Sequence, residues 1–411
     1  MTRLAIAFGA ALDAGLAANI LAAEVEATLG GPAAVAGAFV LSTAAAGPVA
    51  EAVGRRLLAR WSGAELVGTS FEGIVCDGRV WQDEPALAVL AWGDGEDAPI
   101  PIVCEAGARD PDDLAKEILA AARGGPPGDG DVVILFPDAL GTPSLPSLLV
   151  HFGPNAKGPW LAGAAAIGVD GGPAHAWALP EPPTPGDLLV GLRFPGGFDG
   201  GGPVSRVECA GATRLASPWL EITACRPHWI DSLEGEPPVD WIRRQLGLSD
   251  EAAVEPHLDR LLVRIARGPA PAVTRGGAPE EEPLAYEEWY LTGLDRRRGS
   301  IGLPGSFTRF DRAALALPDA SGARETLRSA VDALPRSSLL LQFGCLGRGE
   351  SLHGDRDLES AIVAHQSAGR RTLGVIAPFQ LGTDPARAGR LLVHATVLAA
   401  VGPLDQSADS H

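Results

Sequence analysis

Cys345, Gly347, Arg348, Gly349 and Glu350 bring a thiol, a guanidinium, a carboxylate and two backbone positions without side chains into one short turn. A thiolate is a nucleophile and a metal ligand. A guanidinium forks onto a carboxylate or phosphate. Glycine lets backbone amides approach a bound group closely and lets the chain turn at positive φ. The turn follows the apolar run Leu339-Leu340-Leu341-Gln342-Phe343, too short for a membrane span and suited to a strand buried on both faces. Layered α/β proteins hold their ligands at such strand ends.

Each of these groups also has a plainer reading. Cys345 is a nucleophile, a ligand contact, or a small residue packed in the core, as free cysteines commonly are. His353 and Asp355 stand close enough in sequence to act as a base, or to join Cys345 as metal ligands. Three ligands in one flexible loop lack the spacing of a metal scaffold, and no other histidine or asparagine stands in a thiol-protease context. Arg348 is an anion clamp or half of a buried ion pair with Glu350, Asp355 or Asp357. No metal, cofactor or catalytic residue is assigned.

The chain around this turn has 411 residues, 46% of them apolar and 20% charged, which suits a globular protein of two or three domains or one composite fold. Its net charge of -18 argues against a nucleic-acid partner, which needs clustered cations. Lys116 and Lys157 are the only lysines, a bias attributed to codon preference. The five cysteines (Cys76, Cys104, Cys209, Cys225, Cys345) are odd in number and never spaced Cys-x-x-Cys, so neither a disulfide framework nor a zinc ribbon is expected. A reducing cytoplasm follows. Leu4 to Leu12 looks like a signal sequence, but Asp13 ends the run early, and a strand followed by an alanine-rich helix explains it better. No membrane association is expected.

One pattern of strand, loop, helix, strand and glycine recurs three times. It runs through Ala38–Leu41, Pro48–Trp61 and Glu65–Gly68; through Val132–Phe136, Leu145–Phe152 and Trp160–Gly163; and through the Leu339 strand, Leu358–Gln366 and Thr372–Gly374. Alternating strands and helices predict layered α/β packing with parallel pairs. Further strands are predicted at Ala86–Trp92, Asp187–Phe194 and Trp219–Cys225, and helices at Asp110–Ala122, His257–Ala266 and Ala323–Leu334. Gly124–Asp131, Pro180–Gly186, Pro195–Pro203 and Gly268–Pro283 read as loops, and the main boundary falls between Pro203 and Pro218.

Cys345-Leu346-Gly347-Arg348-Gly349 resembles the Cys-x-Gly-Arg-Gly motif of the FIST family of bacterial sensory domains. Leu66-Val67-Gly68-Thr69-Ser70-Phe71-Glu72-Gly73-Ile74 is similar to that family's Gly-x-Ser-x-x-Gly region. Ser217-Pro218-Trp219, leading through Ile222-Thr223 to Leu233-Glu234-Gly235-Glu236-Pro237-Pro238, resembles its acidic turn and following helix. Cys209 falls where the family often has a further cysteine, although Glu208 replaces the usual preceding glycine. Pro378-Phe379-Gln380-Leu381-Gly382 departs from the family's Asn-Gly-Glu-Ile-Gly, an amide standing for a carboxylate. The resemblance runs from about residue 35 to about residue 402.

The expected fold is therefore α/β (α+β), with stacked mixed sheets flanked by helices in an α-β-β-α sandwich. A FIST N-like half would span 1–205, a FIST C-like half 206–402, and a disordered tail 403–411. The resemblance implies a cytoplasmic, non-enzymatic sensory protein that binds an amino acid or related metabolite and signals through a partner such as a histidine kinase or chemotaxis receptor. Its ligand would meet Cys345, Gly347, Arg348, Gly349, Glu350, Gly68, Ser70, Glu72, Cys209, Gln380 and Gly382. The rivals are an enzyme using Cys345 and an interaction scaffold with a degenerate pocket.

Overall fold

A computed structural model describes residues 2–10, 13–107, 109–121, 130–141, 145–152, 159–180, 188–196, 206–249, 254–268, 286–367, 369–383 and 388–404. Most of the four expected loops and residues 405–411 of the expected tail lie outside the described residues. The chain forms two compact units, 1–211 with 324–411, and 212–323.

The first unit is built from three similar passages of chain. The first comprises β1 (Leu4–Ala10), α1 (Ala14–Leu29), β2 (Gly37–Thr43), α2 (Gly47–Arg60), β3 (Glu65–Phe71), the hairpin β4 (Gly73–Cys76) and β5 (Arg79–Gln82), and β6 (Ala86–Trp92). The second comprises β7 (Ile100–Glu105), α3 (Pro111–Ala121), β8 (Val132–Phe136), α4 (Leu145–Val150), β9 (Trp160–Ala164), β10 (Trp177–Leu179) and β11 (Leu188–Phe194). The third opens with β12 (Arg206–Gly211).

After β12 the chain enters the second unit: β13 (Thr213–Leu215), β14 (Leu220–Arg226), β15 (Trp229–Leu233), α5 (Pro238–Leu246), β16 (Leu262–Ala266), β17 (Glu287–Tyr290), β18 (Gly293–Asp295), β19 (Ser300–Gly302) and β20 (Arg312–Pro318). The third passage then resumes with α6 (Ala320–Ala333), β21 (Ser337–Cys345), α7 (Glu350–His353), α8 (Leu358–Gln366), β22 (Arg371–Ala377), β23 (Gln380–Thr383), β24 (Gly389–Leu392) and β25 (Ala395–Leu404).

The recurrence read from the sequence is the organising unit of this body. The pairs β2/β3, β8/β9 and β21/β22 are each parallel, joined across a helix. The last strand of each passage (β6, β11, β25) runs antiparallel between that pair and the opening strand. Registers coincide as well: Val40 faces Gly68, Leu135 faces Gly163, and Gln342 faces Gly374. A Cβ on those glycines would lie 2.9, 2.0 and 1.9 Å from the carbonyl oxygens of Val40, Leu135 and Gln342, so the close approach requires glycine.

Each passage also lends a strand to another. β4 pairs with β22, β10 with β3, and β23 with β9, closing a cycle. Segments from both sides of residue 205 therefore share sheets. The first unit is a body of three interleaved passages, with 212–323 inserted in the third. Local patterning could not show this, because the exchange is non-local.

The expected mixed sheets flanked by helices are present, and three of them line one core. Residues of all three contribute to it, including Phe39, Phe71, Phe136 and Phe343. Ring centroids of Phe136 lie 5.1 Å from those of Phe39 and Phe71 and 6.0 Å from that of Phe343. On the other faces, separate apolar clusters seat α1 and α2, α3 and α4, and α6 and α8.

The second unit is antiparallel, in the order β17-β16-β20-β14-β15-β19-β18 with β13 beside β20. Here the helix expected at His257–Ala266 is corrected. A short 3-10 turn (Glu255–Arg260) leads into β16, whose five residues are all buried. A strand covered on both faces shows no alternation, so its apolar residues imitated helical spacing. Among the described residues, no helix is long and apolar enough to cross a membrane.

Candidate functional site

β21 delivers the Cys345 turn to the carboxyl end of a parallel pair, where helix α8 begins. Leu346–Arg348 form one 3-10 turn and Glu350–His353 the short α7, closed by Gly354 at φ 72. Neither Gly347 nor Gly349 has a positive φ; Gly354 is the glycine that the turn needs.

Arg348, 1% exposed, is half of a buried ion pair. Its Nε donates to both carboxylate oxygens of Glu359, at 2.9 and 3.0 Å, and Nη2 sits 2.7 Å from Glu359 Oε1 without an aligned hydrogen bond. Nη1 donates to the carbonyls of Ala210 (2.7 Å) and His394 (3.2 Å). His353 Nε2 lies 2.8 Å from Glu359 Oε1, and Thr396 Oγ1 donates to Glu359 Oε2 at 2.9 Å. Beside them, Gln342 Nε2 donates to Ser360 Oγ at 3.3 Å, while Gln342 Oε1 and His353 Nδ1 are buried without a hydrogen bond. Burial pushes the Glu359 carboxyl up, but the charge of Arg348 and the bonds from His353, Arg348 and Thr396 outweigh it, and the net shift is downward.

Cys345 is 3% exposed. Burial pushes its thiol up, and the amides of Gly347 and His394 with the charge of Arg348 pull it only partly back. The thiol therefore stays protonated at neutral pH. Its Sγ lies 3.8 Å from the Pro378 carbonyl. The neighbouring His394 holds φ 51 and has its pKa lowered to about 4, mainly by burial and then by the charge of Arg348.

Of the residues singled out in the sequence, Cys345, Gly347 and Arg348 share the turn, and Gln380 reaches the strand end before it through the Gly344 carbonyl. Gln380 is fully buried, and its Nε2 donates to the carbonyls of Gly344 and Ala377, both at 3.1 Å. A carboxylate cannot donate to two carbonyls, which explains the amide here. Gly349 flanks the turn, and the Glu350 side chain is 75% exposed, with Arg356 at 3.9 Å.

The remaining residues serve other places. Cys209 is exposed, and a Cβ on Gly382 would come 2.7 Å from its Sγ. Gly68 makes room for the Trp177 indole, which a Cβ would approach to 2.5 Å. Ser70 donates to the Ile167 carbonyl at 2.8 Å and accepts the His175 amide at 2.9 Å, and Glu72 is half-buried. The ion-pair reading of Arg348 is met, with its partner corrected: Glu359 holds the guanidinium in place of Glu350, Asp355 or Asp357. The sequence motif does not include Glu359, Thr396 or His394. A signal for Glu359 existed, since it lies in the first turn of a helix recognised from the sequence.

Among the described residues, no group of three or more His, Cys, Asp and Glu side chains is placed to hold a metal ion. No family model matches the chain, and no curated protein matches it. A cyanuric acid hydrolase from A. caulinodans is a distant structural likeness, with a TM-score of 0.35 and 10% identity over 98% of this chain and 100% of that one. At that distance it bears on neither activity nor substrate.

Proposed function

We propose that this chain is a non-enzymatic, small-ligand-responsive protein of the FIST kind, working in the cytoplasm, with an amino acid or related metabolite as ligand and a signalling protein as partner. The supporting observation is the Arg348–Glu359 pair with His353 and Thr396, buried at the carboxyl ends of β21 and β22. A buried ion pair adds little stability over apolar packing, so its presence at a ligand-type location favours a functional reason for keeping it. In the arrangement described, Glu359 occupies the fork that a ligand carboxylate would take. Arg348 then organises the site and meets a ligand only if Glu359 moves. The protonated, buried Cys345, with His353 engaged by Glu359, speaks against thiol catalysis.

A thermal-shift screen of the full chain against amino acids and small carboxylates tests this. A ligand far above its dissociation constant should stabilise by about 3 kcal/mol, and Glu359→Gln should change that response. No shift with any candidate would leave a second reading, an interaction scaffold. The engagement of Arg348 Nε and Nη1 by groups of the protein itself favours that reading.

A further inference from the structure

The helix that carries Glu359 is held by a hairpin from another part of the chain. Asp357 is the N-cap residue of α8, yet its side chain makes no capping bond. Instead its Oδ1 accepts the Val80 amide of β5 at 2.8 Å. The tip of the same hairpin lies on the helix: Gly78 has φ +87, and a Cβ there would come 3.0 Å from Ala364 Cβ and 3.6 Å from the Ser360 carbonyl. Asp77 ties the tip to β22: its amide donates to the Thr372 carbonyl, its Oδ1 accepts the Thr372 amide at 3.0 Å, and its Oδ2 accepts Arg371 Nε at 2.9 Å. Arg356 adds a 3.4 Å bond to the Gln82 carbonyl.

We propose that the β4–β5 hairpin is a positioning element of the Arg348 site. By gripping Asp357 it sets where the first turn of α8 lies, and with it the Glu359 carboxylate two residues on. Asp357 and Val80 are thus positioning residues, and a displacement of Glu359 is transmitted to the hairpin. Topology gives the relationship its force, since the hairpin belongs to the first passage and reaches α8 only through the β4–β22 exchange. This rests on reading the Arg348–Glu359 cluster as the organised site, and needs no ligand for its test.

The experiment compares the intact protein with Asp357→Ala, Asp357→Asn and Val80→Pro. The readouts are the ring resonances of ¹⁵N-labelled His353 and amide exchange along 346–366. Losing the bond from either side is expected to move the His353 resonances and to speed exchange in α8 by about threefold or more, as local opening becomes easier. Asp357→Asn, which keeps an acceptor oxygen, is expected to restore both. His353 resonances unchanged in Asp357→Ala and Val80→Pro, with faster exchange confined to the hairpin, would reduce it to a structural prop and overturn the proposal. Val80→Pro keeps the test alive if Asp357→Ala does not fold. A thermal-shift screen without hits would count against ligand sensing while leaving this coupling measurable.

Discussion

Cys345 and Arg348 are three residues apart and serve opposite faces of one sheet. Along β21, Cys345 continues the alternation of Leu341 and Phe343, which line the shared core. Arg348 reaches Glu359 of α8, on the face where Gln342 meets Ser360. A motif that looks like one combined thiol–guanidinium site in sequence is therefore two structural devices. The thiol takes the amides of Gly347 and His394, and the guanidinium joins α8 to the ends of β12 and β25.

That division predicts the order of thiol reactivity. Iodoacetamide on the native protein should label exposed Cys209 first and Cys225 more slowly. Cys345 should stay unmodified, like Cys76 and Cys104, whose thiols burial pushes up to about 11. Peptide mapping after a short exposure at neutral pH reads this directly. Fast labelling of Cys345 would revive the thiol enzyme.

Removing one partner of the buried pair should be far worse than removing both. Arg348→Met leaves Glu359 charged in the interior with only His353 and Thr396, and about 3–5 kcal/mol of stability should go. Arg348→Met with Glu359→Leu should recover most of that, because two apolar side chains leave no buried charge behind. Urea unfolding of the two singles and the double gives the coupling energy. Additive losses would mean that the pair is weaker than its geometry indicates.

How much of this was legible depended on range. The three parallel strand–helix–strand passages were readable because each repeats local apolar runs such as Val132–Phe136, and their glycines mark one register position. The cycle of β4, β10 and β23 was not, since pairing partners hundreds of residues apart leave no local pattern. The same holds at the site. Arg348 reads as half of an ion pair and its partner Glu359 lies only 11 residues on, but the carbonyls of Ala210 and His394 come from 138 and 46 residues away and leave no local mark. β16 misled for a different reason, being buried on both faces.

Glycine substitutions separate structural from permissive positions. Gly374→Ala would drive a Cβ to 1.9 Å from the Gln342 carbonyl, between the two strands that carry the site. Overpacking against backbone should cost about 3 kcal/mol, visible as a lower unfolding midpoint. Gly211→Ala meets nothing within 4 Å and should change stability by only about 0.5 kcal/mol. Similar losses at both positions would mean that β21 and β22 yield more readily than a parallel pair should.

Acid should loosen the same region through His394. Its folded pKa of about 4 lies below the ordinary value of 6.5, so between those values the unfolded chain binds more protons. Stability therefore falls as pH drops from 6.5 toward 4, by about 3 kcal/mol in all. Glu359 acts in the same direction at lower pH. Its carboxyl is held below the usual range, so its contribution is present above its unfolded pKa and disappears as pH falls through the folded one. Asn is the replacement of choice at His394, because it tolerates the left-handed φ of 51 and does not titrate. Urea midpoints measured from pH 7.5 to 4.5 should decline for the natural protein and stay flatter for His394→Asn. Identical slopes would exclude His394 as the group responsible and leave the acid response to the carboxylates.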